Sequence, residues 1–322
     1  MDQRLTQVFK DAISLKASDI SFLPAGDSYQ VKFCVAGIFQ KYQVMDASTI
    51  SQWISFLKYQ AEMALSEKRR PQLGALRYEL EQKQYFLRLS TVGDFLNRES
   101  LVIRIIYPSQ KIAQGCFFAE QWDRLNQACH KRGLILFAGP MGNGKTTTMY
   151  SLAKNLTEKQ VMCIEDPIEI YEPDFLQIQV NDKAEMTYAA LLKVALRHHP
   201  DVFIIGEIRD NQTAKIAINA ALSGHLVLST VHAASCYGVW QRMENLGISA
   251  FELRQTLQLV SYQRLIPTTM NKSMLLFDIL TGDEMAEKKA CQQMTRKWGE
   301  HLDICVKNGW ITPKNRQNFA EG

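Results

Sequence analysis

The sequence contains no C-x-x-C pair and no apolar run that approaches the roughly 20 residues needed to cross a lipid bilayer. The amino-terminal segment is amphipathic and lacks the uninterrupted apolar centre of a signal peptide. The cysteines are odd in number and widely scattered, which argues against a disulfide framework and against a structural zinc site. These absences favour a cytosolic protein. The seven cysteines are Cys34, Cys116, Cys129, Cys163, Cys236, Cys291 and Cys305.

A strong excess of charge of one sign is also missing. The formal net charge is +4, from 37 basic and 33 acidic residues. This excess is too weak to favour nucleic acid as the main ligand, and we find no concentrated basic patch or loop of stacking aromatic residues. With 46% hydrophobic and 22% charged residues over 322 positions, the composition is that of a globular protein with length for two domains.

Residues 1–106 predict a compact α+β domain. Residues 2–16 place apolar side chains on one helical face, and a second amphipathic pattern begins at Ile50. Short alternating runs between and after these helices are typical of strands that are half buried. The predicted strands are residues 19–23, 30–35, 38–43, 74–79, 85–90 and 100–106.

Residues 107–118 contain Pro108 and Gly115 without periodicity, and we interpret them as a linker. Helix and strand patterns then alternate over residues 119–280, which predicts a mostly parallel sheet with helices on both faces. Residues 281–322 predict a helical tail. The predicted strands are 133–138, 161–164, 175–180, 202–206, 226–230 and 274–280, and the predicted helices are 120–131, 145–157, 187–197, 211–222, 236–245 and 249–259.

Residues 139–147, GPMGNGKTT, lie between a predicted buried strand and a predicted helix. This is the phosphate-binding arrangement G-x-x-x-x-G-K-[ST], in which glycines let backbone N–H groups point at phosphate oxygens. Lys145 would contact the β- and γ-phosphates, and the Thr146 hydroxyl would ligate Mg²⁺. The chain is therefore predicted to bind ATP and Mg²⁺. The predicted binding residues are Gly139, Pro140, Met141, Gly142, Asn143, Gly144, Lys145, Thr146 and Thr147.

Phosphoryl transfer also requires acidic residues that hold the metal and orient water. Glu207 follows the apolar run 202–206, and Glu165 and Asp166 follow another short apolar run. A carboxylate at the carboxyl end of a strand that neighbours the phosphate loop is the expected second element of such a fold. His232 follows the run 226–230, where it either senses the γ-phosphate and orients water or has a structural role.

The chain resembles the secretion and type IV pilus assembly ATPases, the GspE, PilB and PilT group. The phosphate loop, IEDPIE at 164–169, LRHHPDVFIIGEIRD at 196–210 and GHLVLSTVH at 224–232 occur in that family's order and spacing. In the first domain ASDI at 17–20, RLST at 88–91 and IRII at 103–106 are similar to the PAS-like domain before the motor. Residues 242–267 resemble the family's helical pair and the turn that follows, with its Gln-Arg-Leu motif at 263–265.

The resemblance implies a RecA-like P-loop core and a homohexamer that hydrolyses ATP. This assembly would lie in the cytoplasm, peripheral to the cell membrane, and act on a polytopic membrane platform protein. Glu207 matches the Walker B-type glutamate, which makes it our first choice for polarising water and a second metal ligand. Glu165 and Asp166 would support metal and water. Arg88 and Arg104 match arginines that reach from the first domain to the nucleotide phosphates; from the residues alone, either could simply face water.

Three features of many family members are missing: a large amino-terminal domain, paired C-x-x-C motifs and the AIRAS-type helix of retraction ATPases. Ala233 and Ala234 also replace the Thr and Asn that usually follow the second histidine. A form that lacks all three looks like the competence pilus ATPases of Gram-positive bacteria.

The implied function is assembly of a type IV-like pseudopilus for DNA uptake, without direct nucleic-acid binding by this chain. The alternatives are a retraction or type II secretion ATPase, a DNA-contacting RecA-like motor, or a non-hydrolysing scaffold.

Overall fold

The computed structural model describes residues 2–35, 37–107, 115–181, 184–270, 272–287 and 293–322. Residues 108–114, most of the predicted linker, lie outside this range, as does Cys291. The chain forms two compact units. The first contains Met1–Pro108 and Glu169–Tyr171, and the second contains Ser109–Ile168 and Glu172–Gly322.

The first unit contains a six-stranded sheet in which every neighbouring pair of strands is antiparallel. The six strands predicted for this unit are confirmed, each extended by up to a few residues. The strand order is β3-β2-β1-β6-β5-β4. The elements are α1 (Gln3–Ser14), β1 (Asp19–Ala25), β2 (Ser28–Val35), β3 (Ile38–Asp46), α2 (Ala47–Gln60), β4 (Gln72–Leu80), β5 (Lys83–Gly93) and β6 (Glu99–Ile106).

Helices α1 and α2 begin where an aspartate caps them and pack through the predicted apolar stripes. Asp2 accepts a hydrogen bond from the Arg4 backbone N–H, and Asp46 accepts one from Thr49, so each carboxylate satisfies an amide in the first helical turn. The buried residues of both helices recur at helical spacing and join the core of this unit. They include Leu5, Val8, Phe9 and Ala12 in α1 and Ile50, Trp53, Ile54 and Leu57 in α2.

The second unit contains a seven-stranded sheet in the order β13-β12-β7-β11-β10-β8-β9, with helices on both faces. All neighbouring strands run parallel except β12 and β13. The predicted strands and the mostly parallel sheet are confirmed. The strands are β7 (Gly133–Ala138), β8 (Val161–Glu165), β9 (Leu176–Gln179), β10 (Val202–Glu207), β11 (Leu226–Thr230), β12 (Leu257–Pro267) and β13 (Ser273–Thr281).

The helices of the second unit precede, connect and follow these strands. In the carboxyl-terminal segment, the side chains of Trp298 and Leu302 belong to the core of the sheet's unit. No helix in the described part of the chain is both long and apolar enough to span a membrane. The helices are α3 (Ala119–Ala128), α4 (Lys145–Lys154), α5 (Tyr188–Ala195), α6 (Asn211–Leu222), α7 (Cys236–Asn245), α8 (Ala250–Thr256), α9 (Gly282–Glu287), α10 (Arg296–Lys307) and α11 (Pro313–Asn318).

The prediction for residues 249–267 was wrong in part. The predicted helix 249–259 ends at Thr256, and the expected turn at residues 263–265 is the middle of the long strand β12. This strand pairs with β7 on one side and with β13 on the other. Leu253, Leu257 and Val260 have helical spacing, but the hydrogen bonds to two neighbouring strands outweigh this local pattern.

Candidate functional site

The glycine-rich loop connects the end of β7 to the start of α4, as the sequence predicts. Gly142 and Gly144 have φ angles of +75° and +76°, in the left-handed region that favours glycine. Gly139 has a φ of +130°, and a Cβ at this position would lie 2.5 Å from the carbonyl oxygen of Gln263. A Cβ at Gly142 would meet nothing within 4 Å. Gly139 is therefore required by packing as well as by backbone conformation, and Gly142 by backbone conformation alone.

The Lys145 ammonium group lies over this loop. Its Nζ atom donates hydrogen bonds of 2.9 Å to the carbonyl oxygens of both Gly139 and Pro140. Lys145 is the first residue of α4, so its charge is added to the partial positive charge of the helix N-terminus. Thr146 and Thr147 follow in the first turn and are half buried. The loop, lysine and helix terminus together form a cradle for phosphate oxygens.

Strand β12 supports the loop through hydrogen bonds to Asn143, a contact that the sequence did not predict. The Gln263 Nε2 atom donates to the Asn143 carbonyl oxygen at 2.6 Å, and the Leu265 backbone N–H donates to Asn143 Oδ1 at 2.9 Å. Gln263 is fully buried. Because two bonds fix one loop residue from both its backbone and its side chain, β12 holds the loop against the sheet.

Glu207 and His232 meet at the carboxyl ends of β10 and β11. The His232 Nε2 atom lies 3.0 Å from Glu207 Oε1, and the Arg209 Nε atom lies 2.9 Å from Glu207 Oε2. The hydrogen bond to Glu207 raises the pKa of Arg209. The Glu207 side chain is 20% exposed, and its carboxylate lies between the His232 imidazole and the Arg209 guanidinium. Arg209 was missed because nothing in the local sequence pattern distinguishes it.

Glu165 and Asp166 lie at the end of β8, which is separated from the phosphate loop's strand β7 by β11 and β10. Glu165 is 2% exposed and accepts a hydrogen bond from the Tyr150 hydroxyl. A Cβ at Gly206 would lie 3.2 Å from Glu165 Cγ, so Gly206 leaves room for this side chain beside β10. Asp166 is exposed. The two carboxylates therefore have different surroundings, one buried and hydrogen-bonded and one in solvent.

Arg88 and Arg104 belong to the first unit, where they are directly opposite each other on β5 and β6. Their side chains therefore project from the same face of that sheet. The Arg104 Nε atom forms an ion pair of 3.0 Å with Asp19 Oδ1 on β1, while half of its side chain remains exposed. Arg88 is half buried. The structure thus brings the two predicted arginines together as a cationic pair.

The hydrogen-bond donors and the oxygen ligands near the loop are of the types that bind a magnesium nucleotide. Backbone N–H groups and the Lys145 ammonium suit phosphate, whereas the Thr146 hydroxyl and the Glu207 carboxylate are the hard oxygen ligands that Mg²⁺ prefers. Within the described residues, no three histidine, cysteine or acidic side chains form a metal cluster of their own. A cation that takes one or two protein ligands and completes its shell with phosphate and water matches this arrangement.

Comparison with known proteins shows the family to which this chain belongs. The model of the family described as "Type II/IV secretion system protein" matches residues 1–306. The chain is 41% identical over 314 residues to competence protein ComGA of Streptococcus pneumoniae, covering 97% of this chain and 96% of that protein. It is 36% identical over 300 residues to the type IV pilus assembly ATPase TfpB of Acinetobacter baylyi, covering 90% of this chain and 50% of that one.

A solved structure supports the same assignment. The pilus retraction motor PilT with bound ADP superposes with a TM-score of 0.72 at 26% identity, over 97% of this chain and 95% of that chain. The fold is therefore that of the RecA-like secretion ATPases. The match to the family model, the relatives and the solved motor agree, and this chain belongs to the type II/IV secretion system protein family of pilus and secretion ATPases.

Proposed function

We propose that this chain is an ATP-hydrolysing motor that powers assembly of a type IV-like competence pseudopilus for DNA uptake. The observation that carries the proposal is the position of Glu207, whose carboxylate contacts His232 at the same sheet edge that carries the phosphate loop. A nucleotide-binding scaffold needs only the loop. A carboxylate and an imidazole at the neighbouring strand ends supply the groups that hydrolysis requires.

The residues divide the work of hydrolysis. The loop amides and Lys145 bind and orient the β- and γ-phosphates, while the Thr146 hydroxyl and Glu207 hold Mg²⁺. When bound, Mg²⁺ neutralises charge that develops on the phosphate oxygens. Glu207 orients and polarises the attacking water. His232, at 3.0 Å from Glu207 Oε1, steadies that carboxylate and contacts the γ-phosphate side of the site.

The buried Glu165 and the exposed Asp166 support metal and water from the neighbouring strand. Arg88 and Arg104 are proposed to contact nucleotide phosphates, because two guanidinium groups on one sheet face match the charge and geometry of phosphate. The active assembly is proposed to be a homohexamer.

The motor is proposed to work in the cytoplasm, peripheral to the cell membrane, on a polytopic platform protein. This step rests on the similarity to a competence protein, over nearly the full length of both chains, and to a pilus assembly ATPase. No direct contact with nucleic acid is proposed, because the chain carries a formal charge of only +4.

The test is affinity capture from detergent-solubilised membranes of the source organism with tagged wild-type chain and tagged Lys145→Ala. We expect mass spectrometry to identify a polytopic pilus platform protein with both, and ATP to change its recovery only with the wild-type chain. Recovery of no platform protein with either chain would contradict the motor. Capture of one that ATP does not affect would instead support the non-hydrolysing scaffold.

A further inference from the structure

Tyr150 lies on α4 one helical turn after Thr146. Residues four apart lie on the same face of a helix, so the hydroxyls of Thr146 and Tyr150 face the same side of the sheet. The Tyr150 side chain is 2% exposed, and its hydroxyl donates a hydrogen bond to Glu165 Oε1. One helix therefore connects the phosphate loop to the buried carboxylate of Glu165 in the IEDPIE segment at 164–169, called the acidic box below.

The strands bring the partners of Tyr150 to that side. Side chains alternate along a strand, so Cys163 and Glu165 of β8 point to the same face. Gln177 of β9 is the register partner of Cys163 and shares that face. Its Nε2 atom lies 2.8 Å from the Tyr150 hydroxyl oxygen. Tyr150 is therefore held between an amide on β9 and a carboxylate on β8.

The backbone N–H of Glu172 determines which groups donate and which accept in the hydrogen bonds from Gln177 to Tyr150 and from Tyr150 to Glu165. The Glu172 backbone N–H can only donate, and it donates to Gln177 Oε1 at 2.9 Å. The Gln177 amide must then present its Nε2 group to the Tyr150 oxygen, which leaves the phenolic proton for Glu165. Burial raises the pKa of Tyr150 far above its ordinary value, so the phenol remains a donor.

Glu172 is itself anchored to the same helix. Its side chain is 1% exposed and accepts a hydrogen bond of 2.7 Å from Lys154 Nζ. Lys154 follows Tyr150 by four residues, so Thr146, Tyr150 and Lys154 form one line along α4. The hydrogen-bonded chain thus includes α4 at both Lys154 and Tyr150 before it reaches Glu165 on β8, which restricts the position of Glu165 relative to the phosphate loop.

We propose that Tyr150 is a positioning residue that holds the Glu165 carboxylate in its working orientation, with Gln177 orienting the Tyr150 hydroxyl. This inference rests on the proposed hydrolysis of ATP. Tyr150 contacts neither nucleotide nor water in this role and acts only through Glu165. The acidic box therefore depends on a side chain of the helix that begins at the phosphate loop.

The test is a double-mutant cycle on steady-state ATP hydrolysis with Tyr150→Phe, Glu165→Gln and the double variant. Tyr150→Phe removes one donor to a buried carboxylate, and we expect kcat to fall about tenfold while KM for ATP changes less than about twofold. In the Glu165→Gln background the same substitution should add less than about a twofold effect. Multiplicative effects in the double variant would overturn the proposal.

Two further variants keep the result interpretable. Gln177→Met retains the size of the side chain and should lower kcat by about threefold, again only when Glu165 is present. Tyr29→Phe removes a buried phenolic hydrogen bond in the first unit, of 3.0 Å to the Glu99 carbonyl, and should leave kcat unchanged. A wild-type chain without ATPase activity would refute the proposed function itself, whereas an active wild type with multiplicative effects would refute only this inference.

Discussion

The two sheets of this protein place their candidate functional residues differently. In the second unit, parallel strands bring the carboxyl ends of β7, β8, β10 and β11 to one edge, and the loop, Glu165, Glu207 and His232 all follow those ends. In the first unit, antiparallel strands alternate in direction, and Arg88 and Arg104 lie within β5 and β6 rather than at their ends. In the parallel sheet the candidate functional side chains therefore lie together at the carboxyl ends of the strands, whereas in the antiparallel sheet they lie on one face.

This difference determines which candidate site residues can be identified from a sequence pattern. A carboxylate that directly follows an apolar run is visible in a parallel α/β pattern, because strand ends are where such folds bind ligands. An arginine within an alternating strand has the same local pattern as any solvent-facing residue. Arg88 and Arg104 were therefore singled out by family resemblance, and their role remains a proposal.

The largest expected effect concerns the parallel edge. Glu207→Gln keeps the size of the side chain but removes the charge that polarises water, so kcat should fall by roughly a hundredfold or more while nucleotide affinity is retained. Phosphate release and titration with a fluorescent ATP analogue measure the two quantities. Glu120→Gln, an exposed carboxylate in the first turn of α3, is the matched control. An unchanged hydrolysis rate would remove Glu207 from the catalytic site.

An intermediate effect tests whether the antiparallel face takes part at all. Arg88→Ala and Arg104→Ala should each lower kcat about tenfold, since each removes one charge-assisted contact to phosphate. Arg77→Ala is the control, because Arg77 is an exposed arginine of the neighbouring strand β4 whose guanidinium lies over Phe86. If all three variants hydrolyse ATP at the same rate, the first unit contributes no catalytic charge.

Arg104→Ala also breaks the ion pair with Asp19, so it has a control of its own. Asp19→Asn removes that pair and leaves the guanidinium in place. A fall in kcat with Arg104→Ala that Asp19→Asn does not reproduce assigns the effect to phosphate contact. Equal losses in both variants would instead identify a structural role for the pair.

The smallest expected effect concerns the support of the loop by β12. Gln263→Met removes the bond to the Asn143 carbonyl and should weaken binding of a fluorescent ATP analogue about fivefold. Gln258→Met is a close control, because Gln258 lies on the same strand and donates a similar bond of 2.9 Å, to Ala128. If the two variants bind nucleotide equally, the contact with the loop has no influence on affinity.

Much of the fold follows from local pattern. All strands of both units except β12, and the phosphate loop, were predicted, since apolar periodicity and glycine spacing are properties of neighbouring residues. Strand β12 was not, because its backbone partners lie far away in sequence and its apolar residues also fit a helix. Tyr150 had one signal, its spacing of four from Thr146. Gln263 had only its place in the Gln-Arg-Leu motif of the resemblance, which gave no contact with the loop. Gln177 had no signal, since only the assembled sheet brings it to the site.

The first glycine of the phosphate loop limits how this chain can vary. The Gln263 carbonyl occupies the space that any side chain at position 139 would need, so even alanine there would displace β12. Position 142 faces open space and is restricted only by its backbone angle. Within one short motif, then, a substitution at Gly139 has to overcome both a steric clash with β12 and an unfavourable backbone angle, whereas a substitution at Gly142 has to overcome the backbone angle alone.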